Sequence, residues 1–357
     1  MSAQPIRIAV IPGDGIGREV TSEVVQLAEA VRRAGLLAAT WEELDWGAER
    51  YLATGLPMPA GGLEYLKGFS AIQVGAFGDP RVPDFAHARA ILLGMRFQLD
   101  LFINLRPVRC LDERLNPLKH VPAGDIDLVI VRENTEGLYS GAGGSMHTGS
   151  SDEVAVQEMI ATRRGVERIV RAAFDLARTR KRRKVTLVDK ANVLRYAGEL
   201  WQRTFGDLAA QYADVAKDHL YGDTAAMELV RNPGRFDVVV CDNLLGDILS
   251  DLAAMLGGGL GLAPSANVHP GRAAMFEPVH GSAPDLAGKG RANPLAALAS
   301  FALLLRHVDR AHLADALDEA IAATVRAGTV TPDLGGTSTT AEVGEAVRER
   351  TLELLKS

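Results

Sequence analysis

Short apolar runs alternate along the chain with longer stretches of helical periodicity. Residues 6–11 are apolar but for Arg7, a glycine-rich turn follows, and residues 19–34 then place apolar side chains at three- and four-residue spacing. The short-run signal recurs at 71–74, 128–131, 185–188 and 238–241, each rich in Val, Ile or Leu. Runs of this length, bounded by turns and separated by amphipathic segments, predict α/β layers with much parallel sheet. Residues 311–326 predict an alanine-rich amphipathic helix on the surface. Residues 141–149 carry four glycines, break the alternation and predict an extended arm or loop. No internal repeat and no low-complexity linker interrupts the pattern.

Composition narrows the class. A chain of 357 residues suggests two domains, and 47% hydrophobic with 24% charged residues excludes a mostly disordered one. Thirty-six glycines against 5% aromatics point to tight turns and close backbone approaches, not to stacking platforms for bases. The net charge of −6 opposes nucleic acid and anionic membrane, so an anionic ligand must be met by local positive charge. The basic run at 178–184 follows a helical pattern and reads as a solvated helix C-terminus. Cys110 and Cys241 lie in or beside apolar runs, outside any CxxC or Cys/His pattern, and predict reduced structural thiols. The N-terminal residues lack a signal-peptide pattern. The longest uncharged stretch, 252–268, contains Gly, Pro, Ser and Asn and falls short of the roughly 20 apolar residues of a membrane span. The expectation is a soluble cytoplasmic protein.

Five clusters carry chemistry. Pro12-Gly13-Asp14-Gly15-Ile16-Gly17 follows the first run, but a dinucleotide fingerprint requires glycine where Arg18 stands. After the run at 238–241, Asp247 and Asp251 stand at i and i+4. On one helix face they repel each other by about 0.2–0.5 kcal/mol. An oxygen-preferring divalent cation, Mg²⁺ or Mn²⁺, would turn that repulsion into attraction. Arg106 and Arg132 emerge from apolar runs, and with Arg96 they offer three guanidinia, each able to hold a carboxylate bidentately. Lys190 follows the run at 185–188; beside a cation and arginines its pKa would fall, which suits a general base. Finally, residues 277–285 (Glu-Pro-Val-His-Gly-Ser-Ala-Pro-Asp) make a loop of glycine, small residues and proline that backbone can bring close to a ligand. An acidic residue there can hydrogen-bond a ribose diol and repel a 2′-phosphate.

Taken in order, Gly13-Asp14-Gly15-Ile16-Gly17, Asn104-Leu105-Arg106-Pro107, Asp189-Lys190-Ala191-Asn192, Asn243-x-x-Gly246-Asp247-Ile248-x-Ser250-Asp251 and 277–285 resemble the β-decarboxylating dehydrogenases, the isocitrate/isopropylmalate dehydrogenase family. The resemblance covers essentially the whole chain. It implies two α/β domains with a central mixed sheet, not a Rossmann fold. The first domain would be discontinuous (1–100 plus 256–357) and carry the cofactor loops. The second (101–255) would carry the dimer contact, the metal site and an arm around 133–156. It also implies a homodimer whose active sites are shared between subunits.

Residue by residue, the resemblance assigns Arg96, Arg106 and Arg132 to the carboxylates of a malate-type di-acid. It assigns Asp247 and Asp251 to Mg²⁺ or Mn²⁺, together with Asp223, which also borders the substrate and comes from the neighbouring subunit. Lys190, also reaching into the partner's site, would take the hydroxyl proton as hydride leaves for NAD, and Tyr139 would protonate the enolate left by CO₂. Glu277, His280, Gly281, Ser282, Ala283, Pro284, Asp285 and Asn293 would hold the cofactor. NADP-using relatives carry Lys-Tyr where this chain has Asp285-Leu286, so NAD is expected.

The substituent at the substrate's third carbon is read by the segment before Arg96. Leu92 and Leu93 offer an apolar wall, where isocitrate enzymes place Ser and Asn and homoisocitrate enzymes tend to place a cation. This favours 3-isopropylmalate, oxidised to 2-oxoisocaproate in leucine biosynthesis. An apolar pocket discriminates by only ~1–3 kcal/mol per methylene, so related 3-substituted malates remain in view. Two features pull toward the tartrate/D-malate branch: Arg132-Glu133-Asn134-Thr135-Glu136-Gly137 with the following Gly144-Ser145-Met146, and Arg89, which replaces a common glutamate. A non-enzymatic paralogue, sensing a metabolite or binding RNA, would have eroded Lys190, Tyr139 or the aspartates; all are present.

Overall fold

The computed structural model describes residues 6–356. The strands in chain order are β1 (Ile6–Gly13), β2 (Ala39–Glu43), β3 (Ala71–Ala76), β4 (Ile103–Arg109), β5 (Asp127–Glu133), β6 (Gly143–Met146), β7 (Val154–Gln157), β8 (Lys184–Asp189), β9 (Ala216–Tyr221), β10 (Val238–Cys241), β11 (Pro264–Val268) and β12 (Ala274–Pro278). The α-helices are α1 (Ile16–Arg33), α2 (Ala48–Thr54), α3 (Gly62–Leu66), α4 (Ala86–Gln98), α5 (Arg163–Thr179), α6 (Arg195–Ala209), α7 (Gly222–Arg231), α8 (Asn243–Leu256), α9 (Leu295–His307), α10 (Ala311–Arg326) and α11 (Thr340–Leu354). Each predicted apolar run lies in a strand. The polar edge strands β2 and β9 carry no such signal, because an edge strand needs only one buried flank.

The chain divides into two compact units. Unit 1 comprises Met1–Leu101, Cys110–Pro117 and Ala254–Ser357; unit 2 comprises Phe102–Arg109 and Leu118–Ala253. The stretch Cys110–Pro117, assigned to the second domain by sequence, therefore clusters with unit 1. Arg114 anchors it, donating from Nη2 to the carbonyl oxygens of Val325 (2.9 Å) and Arg326 (3.1 Å).

In unit 1 the strands run in the order β2-β1-β3-β12-β11. β1 is parallel to β2 and β3, β12 is parallel to β3, and β11 is antiparallel to β12. Ile11, Ile72, Val74, Ile91, Met95, Leu66, Trp46 and Met275 close a core between this sheet and the helices α3 and α4. In unit 2 the order is β4-β5-β10-β8-β9, with β4 antiparallel to β5 and the rest parallel. α5 packs Val166, Ile169, Val170, Ala173 and Phe174 against this sheet. The C-terminal ends of β5, β8 and β10 open onto Arg132, Lys190 and α8, the place where open parallel sheets bind ligands.

The glycine-rich segment forms a hairpin of β6 and β7, with Met146 opposite Val154 and every residue of both strands exposed. The basic run is not simply solvated. Arg178 pairs with Asp214, Arg180 with Asp127 and Asp237, and Lys184 with Asp218. Cys110 and Cys241 are free and buried.

Candidate active site

In unit 2, one motif builds most of the site. Asn243, the first residue of α8, accepts from Arg132 Nε (2.9 Å) and Nη2 (2.7 Å) through Oδ1, and its Nδ2 donates to the Glu136 carbonyl oxygen (3.1 Å). One turn on, a Cβ at Gly246 would lie 2.5 Å from Arg132 Cγ, so only glycine leaves room for that side chain. Arg132 Nη1 then meets Asp247 Oδ1, while Tyr139 Oη donates to Asp247 Oδ2 at 2.8 Å. Arg132 is 1% exposed, and a guanidinium so deeply buried must be paired. Its charge also lies 5.4 Å from the Tyr139 ring centroid.

Arg106, from β4, completes the cluster. Asn104 orients its Nε (3.0 Å), and its Nη1 donates to Ser250 Oγ (3.0 Å) and to Asp251 Oδ1 (3.1 Å). Asp247 and Asp251 lie one turn apart on α8 with Ile248 and Met255 on the outward side, while Leu249, Ala253 and Leu256 are buried. Their environments separate them. Burial pulls the Asp247 carboxyl upward, but Arg132, the Tyr139 hydroxyl and Arg106 outweigh it and hold it below the usual range. Asp251 is raised, by burial and then by the neighbouring Asp247, against the pull of Arg106. Burial, reinforced by the hydrogen bond to Asp247, raises the Tyr139 phenol, keeping it protonated and able to donate at neutral pH.

Two carboxylates with hard oxygens, held close to arginines, suit Mg²⁺ or Mn²⁺. Among the described residues no group of three His, Cys, Asp or Glu is assembled to hold a metal. Asp223, on α7, instead accepts from Lys190 Nζ at 2.9 Å, and that bond lowers its pKa. Lys190 follows β8 in a turn that Asp189 pins by accepting from Ala191 N (3.0 Å) and Gln202 Nε2 (3.0 Å). A Cβ at Gly198 would lie 2.4 Å from Ala191, so α6 closes tightly on the same turn.

The remaining residues of the Arg132 segment are structural. The Glu133 carboxylate is buried, accepts from Thr135 N, Thr135 Oγ1 and Glu136 N, and so coils the chain after β5. Glu136 accepts from Thr162 N (2.8 Å) and Thr162 Oγ1 (2.6 Å) at the start of α5. The chain that aims Tyr139 at Asp247 is fixed at both points.

In unit 1, Arg96 lies in the last turn of α4, where its Nη2 donates to Glu277 Oε1 at 3.1 Å. Glu277 also accepts from Asn267 Nδ2 (2.9 Å). The structure thus places Glu277 on β12 beneath Arg96, apart from the loop residues that follow it. Leu92 leans on the core, Leu93 is half-buried and Arg89 is exposed.

His280, Gly281, Ala283 and Asn293 line a cavity of about 650 Å³ with Ile16, Leu286 and Asp333. This volume suits one nucleoside half of a dinucleotide. Burial lowers the His280 pKa, so its imidazole is neutral at pH 7. Its Nδ1 sits 3.0 Å from the Gly281 carbonyl oxygen, while Nε2 is buried without a partner among the described residues. With the proton on Nδ1, Nε2 is left as an unpaired acceptor, the kind of buried group that an amino donor, such as adenine carries, would satisfy. Ser282 is buried, and its carbonyl oxygen accepts from Ile16 N (2.8 Å), tying the loop to the glycine turn. Pro284 and Asp285 are exposed in the short turn Pro284–Leu286.

Sequence reasoning missed Asp333. It accepts from Asn293 Nδ2 (2.9 Å) and Thr331 Oγ1 (2.5 Å), while Asn293 Oδ1 accepts from Leu295 N (3.0 Å), the first residue of α9. The only signal was the turn pattern Thr331-Pro332-Asp333, ordinary for a connection.

A model of the isocitrate/isopropylmalate dehydrogenase family matches residues 7–347. A 3-isopropylmalate dehydrogenase of Streptomyces griseus is 48% identical over 352 residues, covering 98% of this chain and 99% of the relative. One from Thermobifida fusca is 45% identical over 355 residues, covering 99% of each. Among solved structures, isocitrate dehydrogenase from Methylococcus capsulatus superposes with a TM-score of 0.87 at 37% identity, covering 97% of this chain and 99% of that one.

Proposed function

The chain belongs to the isocitrate/isopropylmalate dehydrogenase family, and from that premise we infer that it oxidatively decarboxylates 3-isopropylmalate with NAD⁺ as acceptor, yielding 2-oxoisocaproate, CO₂ and NADH. The observation that carries this reading is the cluster of Arg106, Arg132, Tyr139, Asp247 and Asp251, where guanidinia, a protonated phenol and paired carboxylates meet. The tartrate/D-malate alternative is not favoured. Relatives matching almost end to end carry the 3-isopropylmalate name, and Leu92 and Leu93 suit an alkyl substituent.

Each residue has a part. Arg96, Arg106 and Arg132 are assigned to the substrate carboxylates, with Glu277 holding Arg96 in aim. Asp247 and Asp251 would ligate a divalent cation, which supplies Lewis-acid polarisation at the C2 oxygen. Lys190 accepts the C2 hydroxyl proton as the C2 hydride departs. Tyr139 delivers a proton to C3 after the C3 carboxylate leaves as CO₂. One proton is taken and one returned, so the reaction releases none. His280 and the backbone of 281–285 are assigned to adenosine, with Asp285 on the ribose diol.

The reading includes a homodimer in which Asp223 and Lys190 serve the partner's site. Asp223, Met227 and Val230 share one face of α7, and Ile248 and Met255 are exposed beside Asp247 and Asp251 on α8. Exposed apolar side chains on two helices are the mark of a covered surface. Burying the α7 face would carry Asp223 into another chain. A cytoplasmic setting fits two free buried thiols, and no helix among the described residues is long and apolar enough to cross a membrane.

The deciding experiment is a steady-state panel with NAD⁺ and Mg²⁺ or Mn²⁺. It uses 3-isopropylmalate, D-malate, tartrate, isocitrate and homoisocitrate. The expected result is the highest kcat/KM for 3-isopropylmalate. A higher value for D-malate or tartrate overturns the substrate assignment.

A further inference from the structure

Asp14 lies in the glycine turn between β1 and α1, and none of the roles above uses it. Its carboxylate is buried and filled on every side. Oδ1 accepts from Ala48 N, the first residue of α2, at 2.7 Å. Oδ2 accepts from Gly78 N after β3 at 2.9 Å and from His87 Nε2 at 2.8 Å. His87 is 0% exposed, in the first turn of α4. Three donors from three segments make the partnering that a buried carboxylate demands. Gly47 makes room for it, since a Cβ there would lie 2.7 Å from Oδ1.

α4 is poorly fixed by its own sequence. Its entry passes through two consecutive non-glycine residues in the left-handed region, Asp84 (φ 54°) and Phe85 (φ 50°), and no side chain caps its first turn. Such backbone persists only where surrounding structure imposes it. Ile91 and Met95 seat the helix in the core, but apolar packing is non-directional. The His87–Asp14 hydrogen bond is directional, and it ties the helix to the turn at 13–17, to α2 and to the end of β3 at once. It is kept although His87 Nδ1 is buried without a partner among the described residues.

We propose that Asp14 and His87 are positioning residues for substrate discrimination: their buried bond sets the rotation of the first turns of α4 about the helix axis, and with it the placement of Leu92 and Leu93, whereas Arg96, in the last turn, is held by Glu277. The proposal rests on the substrate reading above, which assigns those two leucines to the third-carbon substituent. Displacements of about 1 Å remote from the chemistry can change rates a hundredfold.

The test compares wild type with His87→Leu, His87→Asn and His87→Gln. Glutamine can present an N–H near the place of Nε2; leucine has none, and asparagine is too short to reach Asp14. The readouts are kcat/KM for 3-isopropylmalate and for D-malate, and hydrogen exchange of the amides in residues 86–98. In His87→Leu and His87→Asn the ratio of the two kcat/KM values falls at least about tenfold, through KM for 3-isopropylmalate. The α4 amides exchange faster, while D-malate turnover holds within about threefold. His87→Gln restores the ratio. Should the leucine variant fail to fold, the asparagine variant decides. An unchanged ratio with unchanged exchange in the folded variants overturns the proposal. Loss of turnover on both substrates in equal proportion overturns it too, since that marks general damage. Wild-type inactivity on 3-isopropylmalate would instead refute the substrate reading, and the exchange measurement still decides whether His87 holds α4.

Discussion

At the residue scale, the site depends as much on absent atoms as on present ones. Gly246 contributes no side chain, yet it is why Arg132 can lie flat along α8 and reach Asp247. Gly246→Ala puts a methyl 2.5 Å from Arg132 Cγ, and overpacking of this kind costs about 1–3 kcal/mol. We expect the variant to fold with a lowered melting temperature and KM for 3-isopropylmalate raised at least about tenfold. A wild-type KM would show that Arg132 does not hold the substrate. The candidate residues themselves were legible in the sequence, because a lysine, a tyrosine, paired aspartates and arginines closing apolar runs are few and motif-bound. Their supports were not. Nothing in the spacing says that Asn243 orients Arg132, that Glu277 lies under Arg96 or that Asp333 grips Asn293, since each bond joins positions over 30 residues apart.

At the scale of elements, α7 and α8 carry the clearest unfinished business. Met227 is 62% exposed and Ile248 57% exposed, and Val230 and Met255 are exposed beside them, while Ala225, Leu229, Leu249 and Ala253 face inward. Met227→Glu adds a charge on this surface without removing any core contact, so the chain should fold normally. We expect light scattering to report a monomer of 38.1 kDa in place of a dimer, together with loss of turnover. A dimer of unchanged mass would place the subunit contact elsewhere. The strands tell a complementary story. Apolar runs marked β1, β3, β5, β8 and β10, whereas β2 and β9 are half polar and β11 and β12 hold Ser, Asn and Glu at buried positions. Their polarity is tolerated because neighbouring side chains pair it, as Asn267 pairs Glu277.

For the whole molecule, the question is which chain supplies which group. Lys190 and Asp223 bond to each other, while Asp247 and Asp251 bond to Arg132 and Arg106. If each site takes the first pair from the partner, two dead variants should complement. Lys190→Met and Asp247→Asn, refolded together in equal amounts, would form heterodimers holding one intact site. Random pairing then gives about a quarter of wild-type activity. Activity that stays at the level of the separate variants after mixing shows that each site is complete within one chain. The net charge of −6 belongs to this scale as well. On the proposed function, a di-acid would approach against it and would be held by local positive charge, which the reading assigns to Arg96, Arg106, Arg132 and a cation.

By itself the sequence determined the α/β class and the family, and it nominated the candidate site residues. Periodicity and short motifs are local properties, and a chain of this length leaves little freedom once five motifs occur in order. Only the tertiary structure decided what those side chains face. It made Asp14 a buried tie, set Glu277 beneath an arginine, gave Asp247 and Asp251 opposite pKa shifts and left His280 Nε2 buried beside a cavity with no partner among the described residues. The reason is physical: hydrogen bonding, desolvation and steric exclusion act between residues distant in sequence, and their balance is settled only when burial brings them together.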